Sequence, residues 1–255
     1  MNLALVGYKL TLSYCGSGFH GWQRQGKLPT VQLYLEEAVA KIWGEKISIE
    51  GAGRTDAGVH ALGQVASFVA HRKLDAEVLK RALNYHLVET IRIWDVRIVS
   101  QEFSARFDAM AKTYQYMIWN NPVMDPFYIW RAWHIPRPLD IKAMNEAAQL
   151  FVGKHNFLAF VTSPGMPIKN PIRTVFQCSF NQQQNLLLFT IKADGFLYRM
   201  VRNIVGALVK VGLGRLSLEQ LKFIFESQKR TLAPASAPPW GLYLLSVDYP
   251  QDKES

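Results

Sequence analysis

Gly51-Ala52-Gly53-Arg54-Thr55-Asp56-Ala57-Gly58-Val59-His60 places one carboxylate, Asp56, and one guanidinium, Arg54, among three glycines. Glycine tolerates positive φ and lets a partner approach the backbone, so the segment reads as a tight, exposed turn. If the chain is extended there, residues two apart point to the same side, which would put Arg54 and Asp56 on one face. A charged, glycine-rich loop first suggests phosphate binding. The dinucleotide fingerprint G-x-G-x-x-G needs a third glycine where Asp56 sits. The P-loop needs Lys followed by Ser or Thr where the chain has Val59-His60. Both nucleotide readings fail, and what remains is a rigid turn presenting an acid. Such a carboxylate can act as nucleophile or base. The plain alternative is a structural turn, since Thr-Asp-x-Gly is ordinary turn chemistry.

A second group of candidates lies on the helical pattern from Tyr198 to Val211. At about 100° per residue, Arg199, Arg202, Asn203, Gly206 and Lys210 fall on one stripe, with Met200, Ile204, Leu208 and Val211 opposite. The stripe reads either as a solvated basic face or as a contact for a polyanion. Gly206 costs roughly 1 kcal/mol relative to Ala inside a helix, so close approach by another group is expected there.

The rest of the composition narrows the classes. A length of 255 residues and 49% apolar content describe a globular chain of one large domain or two small ones. No apolar run is long enough for a membrane span. Met1 to Val6 reads as the start of a strand and not as a signal peptide. The two cysteines, Cys15 and Cys178, are far apart, which fits a reduced, cytoplasmic protein and gives no metal spacing. None of the six His lies in an H-E-x-x-H pattern, so a metal-dependent hydrolase is a distant reading. The net charge of +9, with seven Trp, leans toward a nucleic-acid partner, phosphates meeting the basic groups and unpaired bases meeting the rings.

The elements that must hold these residues follow from period and caps. Tyr8–Tyr14 alternates as a strand, followed by a polar, aromatic and basic loop, Gly16 to Gln25. Thr30 caps a helix with Val31, Tyr34, Leu35, Ala38, Val39 and Ile42 inward, and Gly44 ends it. Ile47–Gly51 and Gly63–Val69 are strands around the Asp56 turn. A helix from about Asp75 to His86 points Val78, Leu79, Ala82 and Leu83 inward, and Ile91–Val99 is a strand. This is β-α-β-β-α-β, the ferredoxin-like order. It then recurs. Lys112–Asn120 is a strand, a Pro- and aromatic-rich loop spans Pro122 to Pro138, and Asp140 caps a helix faced by Ile141, Met144, Ala148 and Phe151. Thr174–Asn181 and Leu186–Ala193 form a hairpin. Helices at about Tyr198–Val211 and Leu218–Gln228 follow, the second with a Ser217/Gln220 capping box, and Leu242–Tyr249 is the last strand. The expectation is an α+β fold of two related halves, 1–104 and 105–255, around a mixed, mainly antiparallel sheet, with a cleft between them.

Gly53-Arg54-Thr55-Asp56-Ala57-Gly58-Val59-His60 resembles the signature of the TruA family of tRNA pseudouridine synthases. Met200-Val201-Arg202-Asn203-Ile204-Val205-Gly206 is similar to the family's second motif, and Ala111-Lys112-Thr113-Tyr114-Gln115-Tyr116 to its third. Phe19 to Gln25 and Gly241-Leu242-Tyr243-Leu244 also fit, so the likeness runs nearly the full length. It implies the pseudouridine synthase fold, with Asp56 as the catalytic aspartate, Arg202 as its ion-pair partner and Tyr114 packed on the target base. Arg54 is placed with the substrate-binding residues. The implied activity is uridine-to-pseudouridine isomerisation at positions 38, 39 and 40 of the tRNA anticodon stem-loop, without cofactor or metal, by a homodimer. The rival from another class is a non-catalytic tRNA-binding protein on the same scaffold. Asp56 discriminates, because a carboxylate facing a phosphate backbone repels it. Two departures stand out: Cys15 where the family usually has Asp, and Asn84-Tyr85-His86-Leu87-Val88, which lacks the usual Leu-Pro after the Asn.

Overall fold

A computed structural model of the chain describes residues 5–162 and 168–251. It divides into two compact units, Met1–Met110 with Leu244–Ser255, and Ala111–Tyr243. The described residues form an α+β fold with ten strands and five α-helices. The expected strand start at Met1 to Ala4 lies outside them.

In the first unit the chain runs β1 (Val6–Tyr14), α1 (Val31–Trp43), β2 (Glu50–Gly51), β3 (His60–Ala70), α2 (Ala76–His86) and β4 (Ile91–Val99). β1 is central and antiparallel to both β3 and β4, and β2 is antiparallel to β3. The strand period of two sends Tyr8, Leu10, Leu12 and Tyr14 into the core, where Leu35 and Val39 of α1 and Leu79 and Leu83 of α2 are also buried. Both helices start where the sequence marks them. The Thr30 hydroxyl accepts from Leu33 N–H, and Asp75 accepts from Glu77 and Val78 N–H. Gly44, at φ 78°, closes α1 in the left-handed conformation that glycine adopts without a Cβ clash.

Two expectations need correction. Val78 is 45% exposed, because the buried stripe of α2 is centred on Leu79 and Leu83 and leaves Val78 on its flank. Only Glu50 and Gly51 of the expected Ile47–Gly51 strand pair with β3. The backbone of Ile49 is satisfied by side chains of α1 instead: its N–H donates to Glu36, and its carbonyl accepts from the Gln32 amide.

The second unit runs β5 (Ala111–Trp119), β6 (Trp133–His134), α3 (Ile141–Ala148), β7 (Gly153–Asn156), β8 (Ile172–Gln183), β9 (Leu186–Ala193), α4 (Met200–Gly212) and α5 (Leu218–Ser227). Its strands lie in the order β5-β9-β8-β7, all antiparallel, with β6 parallel to β5. The sequence pattern does not mark β6 or β7. One is two residues inside the Pro-rich loop, and the other, Gly-Lys-His-Asn, has no apolar alternation to reveal it. Phe151, Phe157 and Phe160 gather around Phe225 of α5 at centroid distances of 5.3, 5.3 and 5.6 Å. The Ser217/Gln220 capping box starts α5 with both of its bonds. Finally β10 (Leu242–Asp248) passes into the first unit at Leu244, beside β3.

α4 overturns the reading of its polar stripe as a solvated face. Arg202 is 9% exposed and Asn203 is fully buried. The reason is a strap of chain after α5, described below, that lies over this side of the helix.

Candidate active site

The Asp56 turn is built from both ends. Gly58, at φ 79°, and the bond from Val59 N–H to the Asp56 carbonyl (3.1 Å) reverse the chain directly after the carboxylate. On the turn Arg54 is exposed, Thr55 is buried and Asp56 is half-buried. The backbone thus sends Thr55 inward, with the exposed Arg54 on one side of it and the half-buried Asp56 on the other.

Behind the turn lies the loop after β1. Trp22 N–H donates to the Thr55 carbonyl at 3.1 Å. Gly16 N–H donates to Nδ1 of the buried His60 at 3.0 Å, so that nitrogen carries no proton. Three glycines are required by contact. A Cβ on Gly16 would meet the Val59 carbonyl, one on Gly21 the Thr55 carbonyl, and one on Gly51 the Trp22 ring. Trp22, 1% exposed, is therefore the anchor of this loop. Tyr14 completes the support from β1, its hydroxyl 2.8 Å from the Thr55 hydroxyl. Burial pushes the Tyr14 phenol up to about 12, opposed by its bonds to Thr55 and Gln64, so it stays protonated at neutral pH.

The second unit carries the other two candidates. Tyr114 sits in the middle of β5, 7% exposed, its ring edge-on to Phe196 at 5.0 Å. Two residues along the same face, Tyr116 is fully buried and donates to the Pro238 carbonyl at 2.8 Å. Burial raises the Tyr116 phenol well above its ordinary range, and the Arg202 charge opposes that rise. Arg202 is therefore within electrostatic reach of Tyr116. Its guanidinium is aimed by the strap, with Nε donating to the Ala237 carbonyl at 2.8 Å while Ala237 N–H donates to the Arg202 carbonyl at 2.9 Å.

Asn203, next to Arg202, is the hub that holds the strap. Its amide nitrogen donates to the Phe160 carbonyl (2.7 Å), and its oxygen accepts from Arg230 (3.1 Å) and from the Ser236 hydroxyl. The close approach expected at Gly206 is also the strap's, for a Cβ there would strike the Ala235 carbonyl oxygen. Gly206→Ala should therefore cost roughly 1–3 kcal/mol of overpacking. That corresponds to a fall of about 2–10 °C in Tm, read by thermal unfolding. An unchanged Tm would mean that the strap yields freely. The sequence reading gives Tyr14, Gln64 and Asn203 no role at the site. The one signal for Gln64 was a polar residue inside the β3 run, and for Asn203 its place on the stripe.

Among the described residues, no group of three or more His, Cys, Asp or Glu could hold a metal ion, and no helix is long and apolar enough to cross a membrane.

The family model described as tRNA pseudouridine synthase matches residues 11–108 and 147–250. The chain belongs to that family. Membership brings with it the α+β pseudouridine synthase fold, and the matched segments contain both the Asp56 turn and α4. A tRNA pseudouridine synthase A from Methylacidiphilum infernorum (isolate V4) is 75% identical over 255 residues, 100% of each chain. One from Syntrophomonas wolfei subsp. wolfei is 43% identical over 246 residues, 96% of this chain and 98% of that one. Another, from Acetivibrio thermocellus, is 41% identical over 241 residues, 94% and 98% of the two chains.

Proposed function

We propose that this protein is an isomerase that converts uridine to pseudouridine in tRNA, at positions 38 to 40 of the anticodon stem-loop, with Asp56 as the reacting carboxylate. Family membership supports the reaction class. The observation that carries the assignment to Asp56 is its setting: a half-buried carboxylate on a turn held from behind by Trp22 at the Thr55 carbonyl and by Tyr14 at the Thr55 hydroxyl, with Gly21 packed against it. Fixing a reactive group before substrate arrives removes the entropy of orienting it later.

The reaction breaks the bond between C1′ and N1 of uridine and forms one between C1′ and C5. The hydrogen at C5 leaves as a proton, and N1 gains one. Nothing is oxidised or added, so the balance asks for no electron carrier and no nucleotide. A carboxylate can serve as nucleophile or base in this sequence. Arg202, aimed by Ala237, is the proposed partner of that carboxylate. Tyr114 is proposed to hold the target uracil once it has left its stack, a step that costs a few kcal/mol. Arg54, exposed beside Asp56, is proposed to contact the RNA. The net charge of +9 suits a polyanionic partner, and the functional unit is proposed to be a homodimer.

Incubation of the purified protein with unmodified tRNA, followed by base-resolved pseudouridine mapping, tests the reading. Product at positions 38–40 is the expected result. Tight tRNA binding with no product would favour a non-catalytic tRNA-binding protein and end the isomerase reading.

A further inference from the structure

Gln64 is fully buried in the middle of β3, where the strand pattern calls for an apolar residue. A buried amide is costly unless its bonds are made, and here they are made in a way that fixes their direction. The Gln64 oxygen accepts from Val65 N–H at 3.2 Å. Its nitrogen donates to the Gly53 carbonyl at 2.9 Å, and that carbonyl can only accept, so the amide cannot be turned over. The second hydrogen of the same nitrogen reaches the Tyr14 oxygen at 3.4 Å. The Tyr14 oxygen thus accepts from Gln64, and the same hydroxyl shares a hydrogen bond with the Thr55 hydroxyl, 2.8 Å away.

Thr55 is consequently held twice, at its hydroxyl by Tyr14 and at its carbonyl by Trp22 N–H. Its neighbours on either side are Arg54 and Asp56. Gly53, held by Gln64, is the next residue back. Two bonds of the relay end on the turn that carries the carboxylate, at the Gly53 carbonyl and at the Thr55 hydroxyl, and its side chains come from adjacent strands, β1 and β3.

We propose that the relay Gln64 to Tyr14 to Thr55 is a positioning device for the reaction, setting the Asp56 carboxylate in its productive place. Tyr14 and Thr55 are positioning residues and not catalytic ones, since neither is offered to substrate. The inference rests on the reading of Asp56 as the reacting group. An apolar Phe at position 14 or Val at position 55 would fill nearly the same space, so what the polar pair adds is direction and distance. A displacement on the order of 1 Å in a reacting group can cost about 100-fold in rate.

The test uses the full chain with unmodified tRNA and compares Tyr14→Phe, Thr55→Val, Thr55→Ser and the double variant Tyr14→Phe/Thr55→Val. Single-turnover rate, tRNA affinity and thermal unfolding are measured for each. Tyr14→Phe and Thr55→Val should each lose about 10- to 50-fold in single-turnover rate, with tRNA Kd within about twofold of wild type. Thr55→Ser, which restores the hydroxyl, should recover to within about threefold. The double variant should lose no more than the worse single one, because both changes cut the same chain of bonds.

Full rates in well-folded single variants would overturn the proposal, as would additive losses in the double variant or Kd rising in step with the fall in rate. If Tyr14→Phe fails to fold, the Thr55 pair decides: equal losses in Val and Ser mean that the hydroxyl does not matter. Wild type and Asp56→Asn run alongside. An inactive wild type or an active Asp56→Asn removes the functional reading and this proposal with it. An active wild type, a silent Asp56→Asn and a full-rate Tyr14→Phe remove the relay alone.

Discussion

Asp56→Asn should abolish pseudouridine formation while leaving a folded protein that still binds tRNA. Asn has the size of Asp and favours the same turns. The contacts that hold the turn from behind come from its backbone and from Thr55, Gly16, Gly21 and Trp22. Thermal unfolding should therefore shift little. Loss of a group that acts as nucleophile or base commonly costs on the order of 10³-fold or more in turnover. Affinity for tRNA should hold or rise, because a negative charge near phosphates has been removed. Three readings on one variant decide the matter: unfolding temperature, tRNA affinity and base-resolved product. Near-normal turnover in a well-folded variant would end the catalytic assignment of Asp56.

Tyr114→Leu should cut the single-turnover rate by about 100-fold and change tRNA affinity by less than about threefold. The ring is proposed to stack on one flipped base, and stacking is worth roughly 1–3 kcal/mol per base. Binding of the whole tRNA rests on many phosphate contacts, so one lost ring is diluted there. Tyr114 is 7% exposed and edge-on to Phe196, so its removal also leaves unfilled space in the second unit. Some loss of stability is expected for that reason, on the scale of other buried truncations. Tyr114→Phe separates the two effects: it keeps the ring and the packing and removes only the hydroxyl, and its rate should stay within about tenfold of wild type. Weakened binding with an intact single-turnover rate in Tyr114→Leu would make this residue a docking or structural one.

What was legible in the sequence was local. Thr30 and Gly44 frame α1 because a hydroxyl can satisfy free N–H groups and glycine can adopt positive φ. Ser217 and Gln220 start α5 by the same kind of short-range bond. The alternation of Tyr8, Leu10, Leu12 and Tyr14 marks a strand face without reference to any partner. The Asp56 turn could be read for the same reason: its glycines, its acid and its basic neighbour lie within ten consecutive residues.

Where a property depends on what another segment covers, the sequence misled or was silent. The stripe on α4 has the spacing of a solvated face, yet Arg202 and Asn203 are buried because the strap from Arg230 to Ala237 crosses them. Gly206 reads as a place of close approach, and the approaching group is the Ala235 carbonyl of the chain itself. β10 follows the second half in sequence, yet from Leu244 on it is counted with the first unit. The sequence by itself determined the caps, the strand faces and the position of the acid, since those are set by neighbours a few residues away. Tertiary structure alone decided that Gln64, Tyr14 and Thr55 form one chain of bonds behind Asp56, and that Ala237 aims Arg202. These bonds join residues dozens of positions apart, and no local period or cap carries a trace of them.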